Sequence, residues 1–93
     1  MNRPDKFNRA VLFQISERGE AVTRRLERLF EGVRLKVYSP GTVRSIGIKK
    51  AVKREFFRAD ALVFVSAAGI AVRAIAPFIR AKDVDPAVIA VDE

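Results

Sequence analysis

The chain has 93 residues, 49% of them hydrophobic, and a net charge of +7. This is one small folded domain rather than a disordered tail. It contains neither histidine nor cysteine, which excludes a disulfide framework, a thiol nucleophile, a serine–histidine triad and the usual zinc site.

Residues 1–8 read as a polar lead-in, frayed at the terminus, and residues 9–93 as a single domain. The opening MNRPDKFNRA lacks the long apolar core of a secretion signal. No apolar run approaches the ~20 residues that cross a bilayer. A cytoplasmic location without membrane contact is therefore expected.

The first strand is expected over 10–14, AVLFQ, and a helix over 17–31. Val22, Leu26, Leu29 and Phe30 fall on one face of that helix at helical spacing. Ser16 suits its N-cap, Glu17 and Glu20 its positive end, and Gly32 its stop. Glu20 and Arg24 are spaced as an i,i+4 ion pair. The second strand is expected over 35–38, after which residues 39–42, SPGT, read as a turn.

A second helix is expected over 45–58, with Ile48, Val52 and Phe56 inward. Residues 44–58 hold Arg44, Lys49, Lys50, Lys53, Arg54 and Arg58 against Glu55 alone, so they supply +5 of the net charge. Such a cluster draws polyanions, unless it is only a solvated helix face.

The third strand is expected over 61–65, ALVFV. The small residues Ser66, Ala67, Ala68 and Gly69 then turn the chain into a helix over 69–81, which Pro77 kinks or opens. Ser66 is placed to cap that helix or to touch a ligand. Arg73 and Arg80 lie two turns apart on one side, either marking the solvent face or offering a fork to a carboxylate or phosphate. The last strand is expected over 87–91, AVIAV. Asp92 and Glu93 follow at its carboxyl end, a chemically interesting place where solvated terminal side chains are nonetheless expected.

The first, third and fourth strands are nearly continuous apolar runs, the pattern of strands covered on both faces. The alternation of strand and helix predicts an α/β three-layer sandwich, a four-stranded parallel sheet of order 2-1-3-4 with helices on both faces. The first and third strands are then neighbours at a topological switch point, where such folds bind ligands. Its rim is formed by residues 16–19 and 66–69. No phosphate-binding loop competes for this role. Between Gly41 and Gly47 lie five residues, and neither serine nor threonine follows Lys49.

Three ordered segments carry a resemblance. Residues 16–19, SERG, resemble a T-x-x-G turn. Residues 61–65 with 67–77, AAGIAVRAIAP, resemble a small-residue, G-I-x-V-R, I-A-P segment. Residues 85–93, DPAVIAVDE, resemble a D-P-A-V-V-V-V-D-E strand. Together they resemble the N-terminal domain of the CbiG family of cobalamin biosynthesis. The likeness is close over 61–93, moderate over 9–32 and weak over 33–58.

The resemblance implies participation in a cobalt-precorrin-5A hydrolase, which opens the δ-lactone of a cobalt corrinoid and releases acetaldehyde. The substrate carries the cobalt, so no cofactor or protein-bound metal is expected. By position, the resemblance makes Ser16, Gly19, Ser66, Ala67, Ala68, Gly69, Ile70 and Arg73 the candidate contacts to the corrinoid's carboxylates.

Family members continue into an S-G-H-x-G-G-A-N segment and then middle and C-terminal domains. This chain stops at Glu93. A domain truncated relative to the family is therefore expected, inactive alone and partnered by the missing domains, a separate catalytic subunit or a second copy. The rival readings are a basic module that binds nucleic acid through residues 44–58 and a non-catalytic scaffold.

Overall fold

The computed structural model describes residues 9–80 and 84–93. The lead-in at 1–8 and the expected end of the third helix at residue 81 lie outside them. The strands are β1 (Arg9–Gln14), β2 (Arg34–Tyr38), β3 (Ala61–Val65) and β4 (Ala87–Val91). They pair in parallel in the order β2-β1-β3-β4, as the strand–helix alternation predicts. Phe13 stands opposite both Tyr38 and Phe64 in register. Each of those rings lies 5.0 Å from the Phe13 ring, centroid to centroid, which locks the middle of the sheet with aromatic contact.

Helices cover both faces. Val22 and Leu26 of α1 (Glu20–Leu29), followed by Phe30, pack on Leu12, Val63 and Val65. The other face takes α2 (Pro40–Ile46), α3 (Ile48–Glu55) and α4 (Ala68–Ile75). There Val43, Val52, Phe56, Ala71 and Ala74 meet Val11, Phe13, Leu62 and Phe64. Burial of this apolar surface is the main stabilising term.

The helices depart from expectation in definite ways. The first begins as a 3₁₀ turn at Glu17–Gly19 before α1 proper. Ser16 does not cap it, because its hydroxyl is committed to Glu93 instead. Leu29, expected inward, is 75% exposed. It lies at the end of α1, while Phe30 in the following turn takes up the packing. Glu20 and Arg24 do pair, at 3.0 Å.

The helix expected over 45–58 is two helices. Gly47, at φ 96° and ψ 135°, breaks the ladder between α2 and α3 in a conformation open to glycine alone. The expected turn at 39–42 is the start of α2. Ser39 Oγ accepts from the Thr42 N–H at 3.3 Å and Pro40 fills the first helical position. The helix expected over 69–81 runs only through α4 and then tightens into a 3₁₀ turn at Ala76–Phe78, around Pro77. It buries its small residues Ala71 and Ala74, while Val72 is 60% exposed.

Of the three strands expected to be covered on both faces, β1 and β3 are. All of β3 is buried, and in β1 every residue but Arg9. In β4, Ala87, Val88, Ile89 and Ala90 are exposed. The strand stands at the sheet edge, where α1 does not reach across and α4 covers only part of the other face.

Candidate functional site

The switch point is where β1 and β3 lie side by side while the chain leaves them in opposite directions along the sheet. Gln14 and Val65 are partners at its carboxyl edge. Beyond Gln14 the Ile15 N–H donates to Val65 O, and the buried Gln14 side chain donates through Nε2 to Ser16 O at 2.9 Å. These bonds fix the turn that carries Ser16. A Cβ on Gly19 would stand 2.6 Å from Val65 Cγ1. Gly19 is therefore the close approach that lets the turn settle on β3.

On the neighbouring strand, Ser66 is buried and its N–H donates to Val91 O at 3.0 Å. Its hydroxyl donates to Ala67 O at 3.0 Å, so it caps nothing. Ala67, Ala68 and Gly69 are exposed and Ile70 is half-buried. In the first turn of α4 the Ile70 N–H donates to Ala67 O at 3.1 Å, while the Ala68 and Gly69 amides have no intrahelical acceptor and present the positive end of the helix dipole. Arg73 is exposed on the next turn. Its Nη1 lies 3.9 Å from where a side chain on Gly69 would begin. The guanidinium thus lies back along α4 toward its start. Among the described residues it has no ion-pair partner.

The structure therefore brings Ser16, Gly19 and residues 66–69 to one edge of the sheet, with Arg73 reaching toward it. It does not bring Arg80 there. Arg80 lies past the helix, with its guanidinium 4.6 Å from the centre of the Phe57 ring. Glu93 belongs to the site although its sequence position suggested a solvated end. Ser16 Oγ donates to Glu93 Oε1 at 2.6 Å, and the same oxygen would be 3.6 Å from a Cβ on Gly19. Its place after the last apolar strand was the signal. The edge thus joins cationic donors to a carboxylate–hydroxyl pair, a combination suited to holding carboxylates and hydroxyls together.

Two other charged features lie elsewhere. Lys49, Lys50, Lys53, Arg54 and Arg58 are exposed on and just after α3, unpaired with acids among the described residues. At the amino ends of β1 and β2, a cavity of about 350 Å³ is lined by Arg9, Ala10, Arg34, Leu35 and Lys36. Beside it the buried Glu55 carboxylate accepts from Tyr38 Oη at 2.6 Å, Lys36 Nζ at 2.8 Å and Arg9 Nη2 at 3.3 Å. Burial works to raise the Glu55 pKa, but the hydrogen bonds from Lys36 and Tyr38 outweigh it and hold the carboxyl below its ordinary value. These four residues bond to one another, with the buried Arg9 Nε left without a hydrogen-bond partner, and serve the fold.

Residues 50–93 match the family model described as cobalamin synthesis G N-terminal. A cobalt-precorrin-5A hydrolase of Salmonella typhimurium is 43% identical over 47 residues, which are 50% of this chain and 13% of that protein. The crystal structure of a cobalamin biosynthesis protein G homologue from Sulfolobus solfataricus superposes with a TM-score of 0.66 at 21% identity. It covers 92% of this chain and 26% of its own, a likeness of fold. The chain thus spans a small part of each protein's length. The stretch 9–32, expected to resemble the family moderately, lies outside the matched segment, though not outside the shared fold. The resemblance to the N-terminal domain of the CbiG family is thereby shown, in sequence over residues 50–93 and in fold over nearly the whole chain.

Proposed function

We propose that this domain works in a cobalt-precorrin-5A hydrolase by holding peripheral carboxylates of the corrinoid at the carboxyl edge of the sheet. The observation that carries the reading is Arg73. Its guanidinium lies back toward Gly69 at the start of α4, without an acidic partner among the described residues. A guanidinium beside free helix-start amides is a fitting receptor for a carboxylate, and the absent side chain at Gly69 leaves room for it. Ser16 and Glu93 stand on the same edge and suit a hydroxyl or amide donor of the substrate. Lactone opening itself is assigned to polypeptide outside these residues, and the cobalt enters with the substrate. Cytoplasmic corrinoid synthesis is the setting.

The test is binding of a cobalt corrinoid with free acetate and propionate side chains, followed by its visible absorption. Arg73→Ala should weaken binding about tenfold, the worth of one charge-assisted contact. Unchanged affinity overturns the reading.

A second reading rests on the exposed cations of α3. If that face binds nucleic acid, affinity should fall steeply with salt and weaken alike for every sequence when Lys49, Lys50 and Lys53 are changed to alanine. If neither corrinoid nor nucleic acid binds, the scaffold reading is left standing.

A further inference from the structure

The two edges of the sheet are built differently. On β2 the exposed Arg34 and charged Lys36 interrupt the strand, the usual defence of a free edge. On β4 the five residues Ala87, Val88, Ile89, Ala90 and Val91 carry no charge, and Val88 and Ile89 are 38% and 39% exposed.

The hydrogen bonds show which backbone groups of β4 remain. Ala87 N–H donates to Asp60 O and Val91 O accepts from Ser66 N–H, both at 3.0 Å. Successive residues of a strand direct their N–H and C=O to opposite sides. Ala87, Ile89 and Val91 therefore turn theirs toward β3. Val88 and Ala90 turn theirs outward, where no described strand pairs with them.

Charge indicates what fits. Residues 84–93 contain Asp85, Asp92 and Glu93 and neither lysine nor arginine, within a chain of net charge +7. In symmetric antiparallel pairing of two β4 strands about Ile89, Asp85 of one copy would face Glu93 of the other. Two such copies also repel each other as polycations. A second copy is therefore disfavoured on both counts.

We propose that β4 is an acceptor edge for one strand of a partner polypeptide, an apolar stretch bounded by basic side chains. The partner's strand would bond Val88 and Ala90, lay apolar side chains against Val88 and Ile89, and set a cation beside the exposed Asp92, Asp85 being turned to the Arg80 N–H at 2.7 Å. This holds whether or not the turn at Ser66, Ala67, Ala68 and Gly69 contacts a corrinoid.

The experiment follows amide hydrogen exchange in the full chain with two synthetic peptides of the same alternating valine–threonine core. One is bounded by lysines, the other by glutamates. The lysine-bounded peptide should slow exchange at Val88 and Ala90 by about tenfold, and the glutamate-bounded one should leave it unchanged. Ala90→Pro removes an outward donor while sparing the bonds to β3. It should abolish the slowing at Val88 while exchange in β1 and β3 stays as in the parent chain. Slowing by neither peptide, equal slowing by both, or slowing that survives Ala90→Pro overturns the proposal. Protection of Val88 and Ala90 that rises with the concentration of the chain alone overturns it too, by making the occupant a second copy.

Discussion

At the scale of single residues, Gly19 and Glu55 set the two ends of the sheet. A Cβ on Gly19 would meet Val65 Cγ1 at 2.6 Å, and Val65 is buried and cannot swing aside. Gly19→Ala should cost about 1–3 kcal/mol by urea unfolding, the range for overpacking. It should also displace Ser16 from Glu93, visible as a shift of the Glu93 side-chain resonances. Glu55 is 2% exposed and receives three hydrogen bonds. Glu55→Gln keeps its shape but removes the charge shared by Lys36 and Arg9. A loss of about 2 kcal/mol is expected, less than for a fully buried pair because Lys36 reaches solvent.

Among elements, the division of the basic segment matters most. The apolar spacing from Ile46 through Ile48 to Val52 runs through Gly47 without interruption, so periodicity alone predicts one helix. What breaks it is a backbone angle that no side-chain pattern encodes. The signature Ser39-Pro40 opened a helix rather than a turn for the same local reason, since one polar acceptor followed by proline serves both. Gly47→Ala should destabilise by about 1–3 kcal/mol, because φ 96° is closed to alanine. Ser39→Ala should cost about 1 kcal/mol through the lost cap. The two changes stand at opposite ends of α2, so their urea-unfolding effects should add.

For the whole molecule, pH dependence follows from the Glu55 cluster. The folded-state pKa of Glu55 lies below its ordinary value of 4.5. Its contribution is complete above that value and is lost as pH falls through the lower folded one. Unfolding free energy should therefore decline below about pH 4.5, and this acid limb should flatten in Glu55→Gln.

Layer order and strand order were legible in the sequence because β1 and β3 are continuous apolar runs separated by helical periods. The exposure of β4 was not, since an apolar strand reads alike whether or not a neighbour covers it. The site was legible as a location through the small residues 66–69. The Glu93 contact was not, because it joins residues 77 positions apart through side chains alone.

The aromatic stack in the sheet has an optical consequence. The chain has one tyrosine and no tryptophan, so at wavelengths beyond the phenylalanine bands its near-ultraviolet spectrum reports on Tyr38 alone. Burial, together with the bond to Glu55, pushes that hydroxyl above its ordinary value of 10.0. Tyrosinate absorbance should accordingly emerge at higher pH than in free tyrosine and coincide with loss of the folded signal. A single chromophore, without any label, would then follow both the packing of the sheet and the ion cluster beneath it.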